Sequence, residues 1–436
     1  MSLQRTAVLV AGAGPAGTGP LVAAIRRGVH RELLGRGVTW VDCAPHLGSG
    51  SLSRYDITSD TAASVLLECL AGEGPLRDLH DHPVAVQVRG HGHGPLPLSL
   101  AAQWYDVLGS RLEEVVAHHP PSRFVPGTEL VALDVGADGI RACLSGPLGR
   151  HEVVAERVVL ALGGVQHRQT HLEAQLAPGL RLTDLAGVDE RVVTTDELVT
   201  SRGQARVRDL LARDRRPRVV VVGGSHSAFT AAWLLLHRSG VAWEPGAVTI
   251  LCRRTPKVFY PSADAARAEG YPFSPEVDVC PVTGRVFRLA GLRLASRDLL
   301  RSLLGLGDAP PEPRVALSPY DDTDAGGSPA VRALLEAATV VVSALGYTAR
   351  TVPVSVGGRP RGLHAETSPR AELVDDHCRV LLDDGTPVPG LWGLGLASGF
   401  VPHGALGGEP SFDGRTNGLW LYQNGVGDIV LDALLG

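Results

Sequence analysis

Residues 6–17 read TAVLVAGAGPAG, and this stretch decides the fold. Thr6 to Ala11 is a short apolar run of the kind that forms a buried parallel strand. Gly12-Ala13-Gly14-Pro15-Ala16-Gly17 follows at once, then a helical pattern from Leu21 to Leu34, then a second strand, Val38 to Val41, which Asp42 ends. That order is the βαβ fingerprint of a dinucleotide site. Gly12 makes the tight turn, Gly14 lets a pyrophosphate approach the backbone, and Gly17 lets helix and strand pack closely. The helix N-terminus offers N–H groups and a positive dipole to the phosphates. Asp42, about 25 residues beyond Gly17, suits a ribose hydroxyl. Gly19-Pro20 lies near the start of this helix; a proline just past the first turn is unusual, because it brings no N–H, and it predicts a shifted helix start.

The pattern recurs in the second half. Arg218 to Val222 (RVVVV) is another buried-strand run, followed by Gly223-Gly224-Ser225-His226-Ser227-Ala228. A helical stretch from Phe229 to about Arg238 ends at Gly240, a suitable C-cap. Ala247 to Cys252 (AVTILC) is the next strand, and Arg253-Arg254 come directly after it. An acid at that place would favour NADH; two arginines favour the 2′-phosphate of NADPH. Ser225 replaces one expected glycine, so the loop departs from the ideal. His226, inside the turn, is expected either to touch nicotinamide or ribose or to serve the fold. Two dinucleotide sites in one chain imply electron traffic, one cofactor delivering hydride and the other receiving it.

Composition narrows the class. The chain has 436 residues, is 44% hydrophobic and carries a net charge of −5, which suits two or three globular domains and gives no basic footprint for nucleic acid. No apolar run approaches the roughly 18 residues of a membrane span. The first motif starts so early that no signal or transit peptide is expected. With six scattered cysteines (Cys43, Cys69, Cys143, Cys252, Cys280 and Cys378) and no CxxC pair, a reducing, cytoplasmic setting follows. The histidines at 80, 82, 91, 93, 118 and 119 lie in or beside Gly- and Pro-rich linkers without acid or cysteine ligands, so no metal is expected.

GAGPAG near the N-terminus resembles the FAD sites of the two-dinucleotide-binding flavoproteins. VVLALGG (Val158 to Gly164) and VVVSALGY (Val340 to Tyr347) look like the glycine-ended crossover strands that join their two domains. GLWGLGLASG (Gly390 to Gly399), with Gly395 at its centre, is similar to the late motif that closes over the FAD ribityl chain and flavin. Within that superfamily the chain looks most like the NADPH-dependent flavin monooxygenases, the N-hydroxylating amine and amino-acid branch being nearest. The shared features are the second glycine turn, RRTPKVFY (Arg253 to Tyr260) and SALGY (Ser343 to Tyr347). There are departures. Thr339 stands where that branch usually has aspartate, Ser343 and Leu345 replace a leucine and a threonine, and the Baeyer-Villiger fingerprint and disulfide-reductase cysteines are absent.

The fold class expected is therefore α/β, with two Rossmann-like, doubly wound parallel-sheet domains. The FAD domain is discontinuous (residues 1–168 and 338–436) and carries a small antiparallel meander from Glu129 to Val135, Gly139 to Leu144 and His151 to Val154. The NADPH domain spans 169–337 with an insertion near 262–329, read as a substrate lid or an ordered loop. Leu98 to Ala117 reads as a helix with Leu112, Val115 and Val116 on one face. Three segments are expected at the flavin edge: Ser51 to Asp60, with Arg54 and Tyr55; Gly404 to Asn417, whose glycines suit close approach to the ring; and a closing helix, Gly418 to Leu434. The resemblance implies FAD, NADPH, dioxygen and a small amine or amino-acid-like substrate. It also implies oxygen transfer through a C4a-(hydro)peroxyflavin, with positioning rather than a dedicated acid or base carrying catalysis. An FAD/NADPH oxidoreductase without oxygen insertion, and a non-redox flavoprotein scaffold, stay open at this point.

Overall fold

The computed structural model describes residues 4–147, 149–321, 323, 328–368, 371–416 and 418–436. The Gln4–Ala11 strand lies parallel between Val38–Asp42 and Gly149–Leu160, and Val38–Asp42 pairs onward with Arg123–Pro126. The 12-residue Gly149–Leu160 strand serves two neighbours. Its first half runs antiparallel to Gly139–Gly146, with Ala155 opposite Ile140. Its end runs parallel to Leu391–Gly393 of the Pro387–Gly393 strand. The expected meander is thus real, completed by Glu129–Gly136, and longer at each strand than its alternation suggested. Through the Leu391–Gly393 pairing the last part of the chain rejoins the first sheet.

The second sheet is parallel throughout, in the order Val192–Thr194, Val340–Ser343, Val219–Val222, Val248–Cys252, Val315–Pro319. Two expectations change here. Val340–Ser343 was read as part of a crossover, but it is buried at all four positions between two parallel neighbours. A run of three valines is spent most favourably inside such a sheet. The linkers cross later, where Thr348–Ala349 pairs antiparallel with Gly164–Val165. The stretch read as an insertion is also partly framework. Leu294–Leu304 is a helix packed on the His226–Arg238 helix, and Val315–Pro319 is the sheet edge. Residues 257–293 remain outside the Rossmann pattern, pinned by the Lys257–Val258 and Gly291–Leu292 ribbon. Asp322, Gly326 and Gly327, within the stretch read as an insertion, lie outside the described residues.

The helical pattern from Leu21 to Leu34 is two helices, Gly19–Arg26 and His30–Gly35, because Gly28 takes φ +72° between them. The closing helix likewise divides into Leu419–Gln423 and Val426–Leu435 at Gly425, φ +38°. The second of these packs on Gly19–Arg26, where Arg26 pairs with Asp428. Leu98–Ala117 is a single helix as expected, with Leu112, Val115 and Val116 buried. No helix among the described residues is long and apolar enough to cross a membrane.

Candidate active site

The first glycine turn is built as its residue types require. Gly12 sits at φ +101°, and a Cβ there would lie 2.7 Å from the carbonyl carbon of Ala161. Gly12 N–H donates to Val41 (2.9 Å) and Ala161 N–H to Ala11 (2.7 Å), so the turn is stapled to both flanking strands. Pro20 does move the helix start. Thr18 N–H bonds Gly14 and Gly19 N–H bonds Ala16, which leaves proline the one place where no N–H is needed. Trp40, fully buried, donates its indole N–H to the Gly17 carbonyl at 3.0 Å. Burial of a side chain this size contributes roughly 3 kcal/mol and locks the second strand under the turn.

The N–H groups of Gly14, Ala16 and Gly17 have no acceptor among the described residues. Ala16 and Gly17 are buried, and unpaired buried N–H groups are rare unless a ligand takes them. Gly395, φ +119°, faces Ala16 so closely that a Cβ would lie 3.2 Å from the Ala16 methyl, which brings the late glycine motif onto the turn. This cradle fits the pyrophosphate and ribityl parts of FAD. Asp42 accepts from Ala13 N–H (2.6 Å) and Ala44 N–H (2.7 Å), one on each carboxylate oxygen. It shapes the turn and still has lone pairs for a ribose hydroxyl.

The second turn repeats these contacts. Gly223, φ +139°, abuts Ala344; its N–H donates to Leu251 (2.8 Å), and Ala344 N–H to Val222 (2.8 Å). The helix begins at His226, not Phe229, with Ser225 as a cap residue whose side chain makes no capping bond. The N–H groups of Gly224, Ser225, His226 and Ser227 have no acceptor among the described residues, which fits a second dinucleotide. Arg253 and Arg254 are exposed at the end of Val248–Cys252, and Arg254 lies 3.7 Å from Asp413.

The remaining expected residues fall on the seam between the two sheets. Arg54 is exposed. Tyr55, read as a flavin-edge residue, donates its hydroxyl to Asp196 Oδ1 at 2.9 Å, and Tyr347 donates to the same oxygen at 3.1 Å. Burial, with the Asp196 charge and bond, pushes the Tyr55 phenol up to about 12. Gln166 holds the Asp196 main chain, accepting from Asp196 N–H (2.8 Å) and donating to the Gly346 carbonyl (3.0 Å). Asp196 and Gln166 carry no motif, and nothing in the sequence marks them.

The His226 ring has a part in the fold: its Nε2 accepts from Arg293 N–H at 3.0 Å. Gly407 and Gly408, in the segment expected at the ring, make room for the 257–293 segment. A Cβ would lie 2.8 Å from Val282 at the first and 2.6 Å from Leu289 at the second. Asn417, the end of that segment, lies outside the described residues. The loop histidines engage neighbours singly, as in His82 accepting from Val84 N–H. Among the described residues no group of His, Cys, Asp and Glu could hold a metal ion.

Burial holds the His226 imidazole below its ordinary value near 6.5; Asp60 opposes the shift and Arg293 reinforces it. Burial also lowers His171, whose Nδ1 lies 2.8 Å from Ser343 Oγ. A lowered folded pKa means that the unfolded chain binds the proton first. Their contribution is therefore intact above about pH 6.5 and is lost as pH falls toward the folded values, at up to about 1.4 kcal/mol per pH unit and histidine. Thermal unfolding of H171Q/H226Q is expected to change less between pH 7 and pH 5 than that of the parent (both about the histidine range). Equal changes would count against this assignment.

No protein-family model matches the chain. It is 34% identical, over an alignment of 455 residues covering 99% of this chain and 98% of the relative, to the CMP-5'-(3-aminopropyl)phosphonate hydroxylase of Streptomyces rubellomurinus. Its fold is similar to those of three solved structures. The ornithine hydroxylase of Pseudomonas aeruginosa has TM-score 0.54 and 14% identity, with 99% of each chain covered. The L-lysine 6-monooxygenase of Pseudomonas syringae has TM-score 0.53 and 15% identity, covering 98% of this chain and 99% of that one. The ornithine N-hydroxylase of Kutzneria sp. 744 has TM-score 0.51 and 16% identity, with 99% of each covered.

Proposed function

We propose that this chain, which belongs to the family of its phosphonate-hydroxylase relative, is an FAD- and NADPH-dependent flavin monooxygenase that N-hydroxylates a primary amine carried on a phosphonate or nucleotide-linked phosphonate. The observation that carries this reading is the end-to-end likeness to that hydroxylase in a chain that keeps two glycine turns, each fed by a strand with parallel neighbours, on two sheets. Bound here, NADPH supplies hydride and FAD supplies the means of activating dioxygen. In sum, amine, dioxygen, NADPH and a proton give hydroxylamine, water and NADP⁺.

The protein's part is to hold and exclude. Gly12, Gly14, Pro15, Ala16 and Gly17, with Asp42 and Gly395, would hold FAD. Gly223, Gly224, Ser225, His226 and Ser227 would hold the NADPH pyrophosphate, with Arg253 and Arg254 at its 2′-phosphate. Arg54 lies beside the seam, where it could meet either cofactor. Tyr55 and Tyr347, joined through Asp196, would fix the angle between the two units, and so the path of the hydride. We place the division between those units at the linker ribbon, Gly164–Val165 with Thr348–Ala349.

The test uses FAD-loaded protein, NADPH, ¹⁸O₂ and CMP-5'-(3-aminopropyl)phosphonate. One labelled oxygen on the amine nitrogen for each NADPH consumed is the expected result. R253A/R254A should raise KM for NADPH about tenfold and leave that for NADH unchanged. Peroxide without a labelled product would turn the assignment to an oxidoreductase that does not insert oxygen. Absence of flavin reduction by either nucleotide would leave only a scaffold.

A further inference from the structure

A buried carboxylate helps tie the 257–293 segment to the first domain. Glu409, 3% exposed, accepts the N–H groups of Leu289 (3.0 Å) and Ala290 (2.7 Å). That clamp holds a short stretch with an arginine next to it on either side, Arg288 and Arg293. Phe287 and Leu294, the residues that flank it, both adopt left-handed backbone, φ +46° and +50°. Neither is glycine, so this conformation is strained and has to be held by its surroundings.

The two guanidinium groups are unusual for what they lack. Among the described residues no carboxylate lies within ion-pair distance of either. Arg293 donates to the Arg288 carbonyl and lies over the Phe259 ring, 5.6 Å from its centre. Arg288 donates to the Leu406 carbonyl at 2.6 Å and faces Trp420. Each guanidinium has five N–H donors, and these contacts leave donors over. Burial works against the Arg293 charge, while Asp60 and Glu409 support it only from a distance. Arg293 opens into a narrow cleft whose other walls are Thr58, Ser59 and Asp60 of the first domain and Thr230 and Trp233 of the second. Arg293 thus faces a cleft whose one acidic wall, Asp60, stays beyond ion-pair distance, and its spare donors are matched to an anion that arrives with a ligand.

We propose that Arg293 and Arg288 form the subsite for the phosphonate or phosphate group of the substrate, with Glu409 as the residue that positions them. The proposal rests on the hydroxylase reading and adds the substrate's charge and its place. The adenosine end of NADPH would be met elsewhere, by Arg253 and Arg254, which directly follow Val248–Cys252. Arg293 lies instead beside Asp60, on the wall contributed by the other domain.

The experiment measures binding by calorimetry on FAD-loaded parent, R293A, R293K and R288Q. The ligands are CMP-5'-(3-aminopropyl)phosphonate, 3-aminopropylphosphonate and the neutral comparator n-butylamine; steady-state constants for NADPH are measured alongside. R293A is expected to weaken both phosphonates about 30-fold, with n-butylamine and the KM for NADPH unchanged. R293K should recover part of the loss, and R288Q should fall between it and R293A. A raised KM for NADPH with unchanged phosphonate binding would assign Arg293 to the nicotinamide dinucleotide and overturn the proposal. So would equal weakening of n-butylamine and the phosphonates, or failure of the parent to bind either phosphonate. The two readings fail separately. Phosphonate binding lost in R293A while the parent transfers no oxygen would sink hydroxylation and keep the subsite. Oxygen transfer with R293A indistinguishable from the parent would do the reverse.

Discussion

Gly17→Ala is expected to purify without bound FAD. Gly17 does not need unusual backbone; it needs space. A Cβ there would overlap the Gly12 carbonyl, with the Gly12 carbonyl carbon 2.8 Å away. The obstacle is main chain and cannot rotate aside, so the Gly19–Arg26 helix would have to lift off the Gln4–Ala11 strand. That movement would break the Trp40 bond to the Gly17 carbonyl and scatter the unpaired N–H groups of Gly14, Ala16 and Gly17. Overpacking of this kind costs about 3 kcal/mol or more, so reduced thermal stability should accompany the lost cofactor. Gly14→Ala supplies the contrast. Its Cβ would meet nothing nearer than the Gly50 Cα at 3.4 Å, so the chain should fold normally. The added methyl would stand where the pyrophosphate approaches and weaken FAD binding alone. The check is the ratio of flavin to protein absorbance after purification, with a melt on each variant. Stoichiometric FAD in Gly17→Ala would show that the first turn is not its site.

The two turns were legible because each glycine answers a local requirement: a positive φ, a close helix, an approaching phosphate. The structure adds that they are the same device twice. Gly12 abuts Ala161 and Gly223 abuts Ala344, each alanine lying just past the strand parallel to the one that feeds the turn. In the sequence those alanines stand in VVLALGG and VVVSALGY, whose likeness was visible while the pairing that explains it was not. The breaks at Gly28 and Gly425 were marked by their own glycines and lost to the hydrophobic periodicity running through them. Tyr55 was read by its place in the chain, but its partner Asp196 is 141 residues away. Glu409 is 120 residues from Leu289. Periodicity and spacing carry no information on contacts of that range, and the seam and its cleft are made almost wholly of them.

Gly223→Ala is expected to keep FAD and lose reduction by NADPH, slowing it by about 100-fold or more. Here conformation and space act together. At φ +139° an L-residue is strongly strained, and the new Cβ would lie 2.5 Å from the Ala344 carbonyl oxygen. Ala344 cannot withdraw without giving up its 2.8 Å bond to Val222, which closes the second sheet beside the turn. The strain therefore relaxes by moving Gly224 to Ser227, whose free N–H groups are what the turn offers a nucleotide. The first turn packs against Ala161, Gly395 and Trp40, none of which touches the second, so flavin content should match the parent. Dithionite should reduce the variant's flavin as completely as the parent's, which separates loss of nucleotide docking from damage to the flavin site. Reduction by NADPH at the parent rate would mean that hydride enters from somewhere other than the Gly223 turn. The Arg253 and Arg254 assignment would then fall with it, because those arginines can reach the 2′-phosphate only of a nucleotide that lies across that turn.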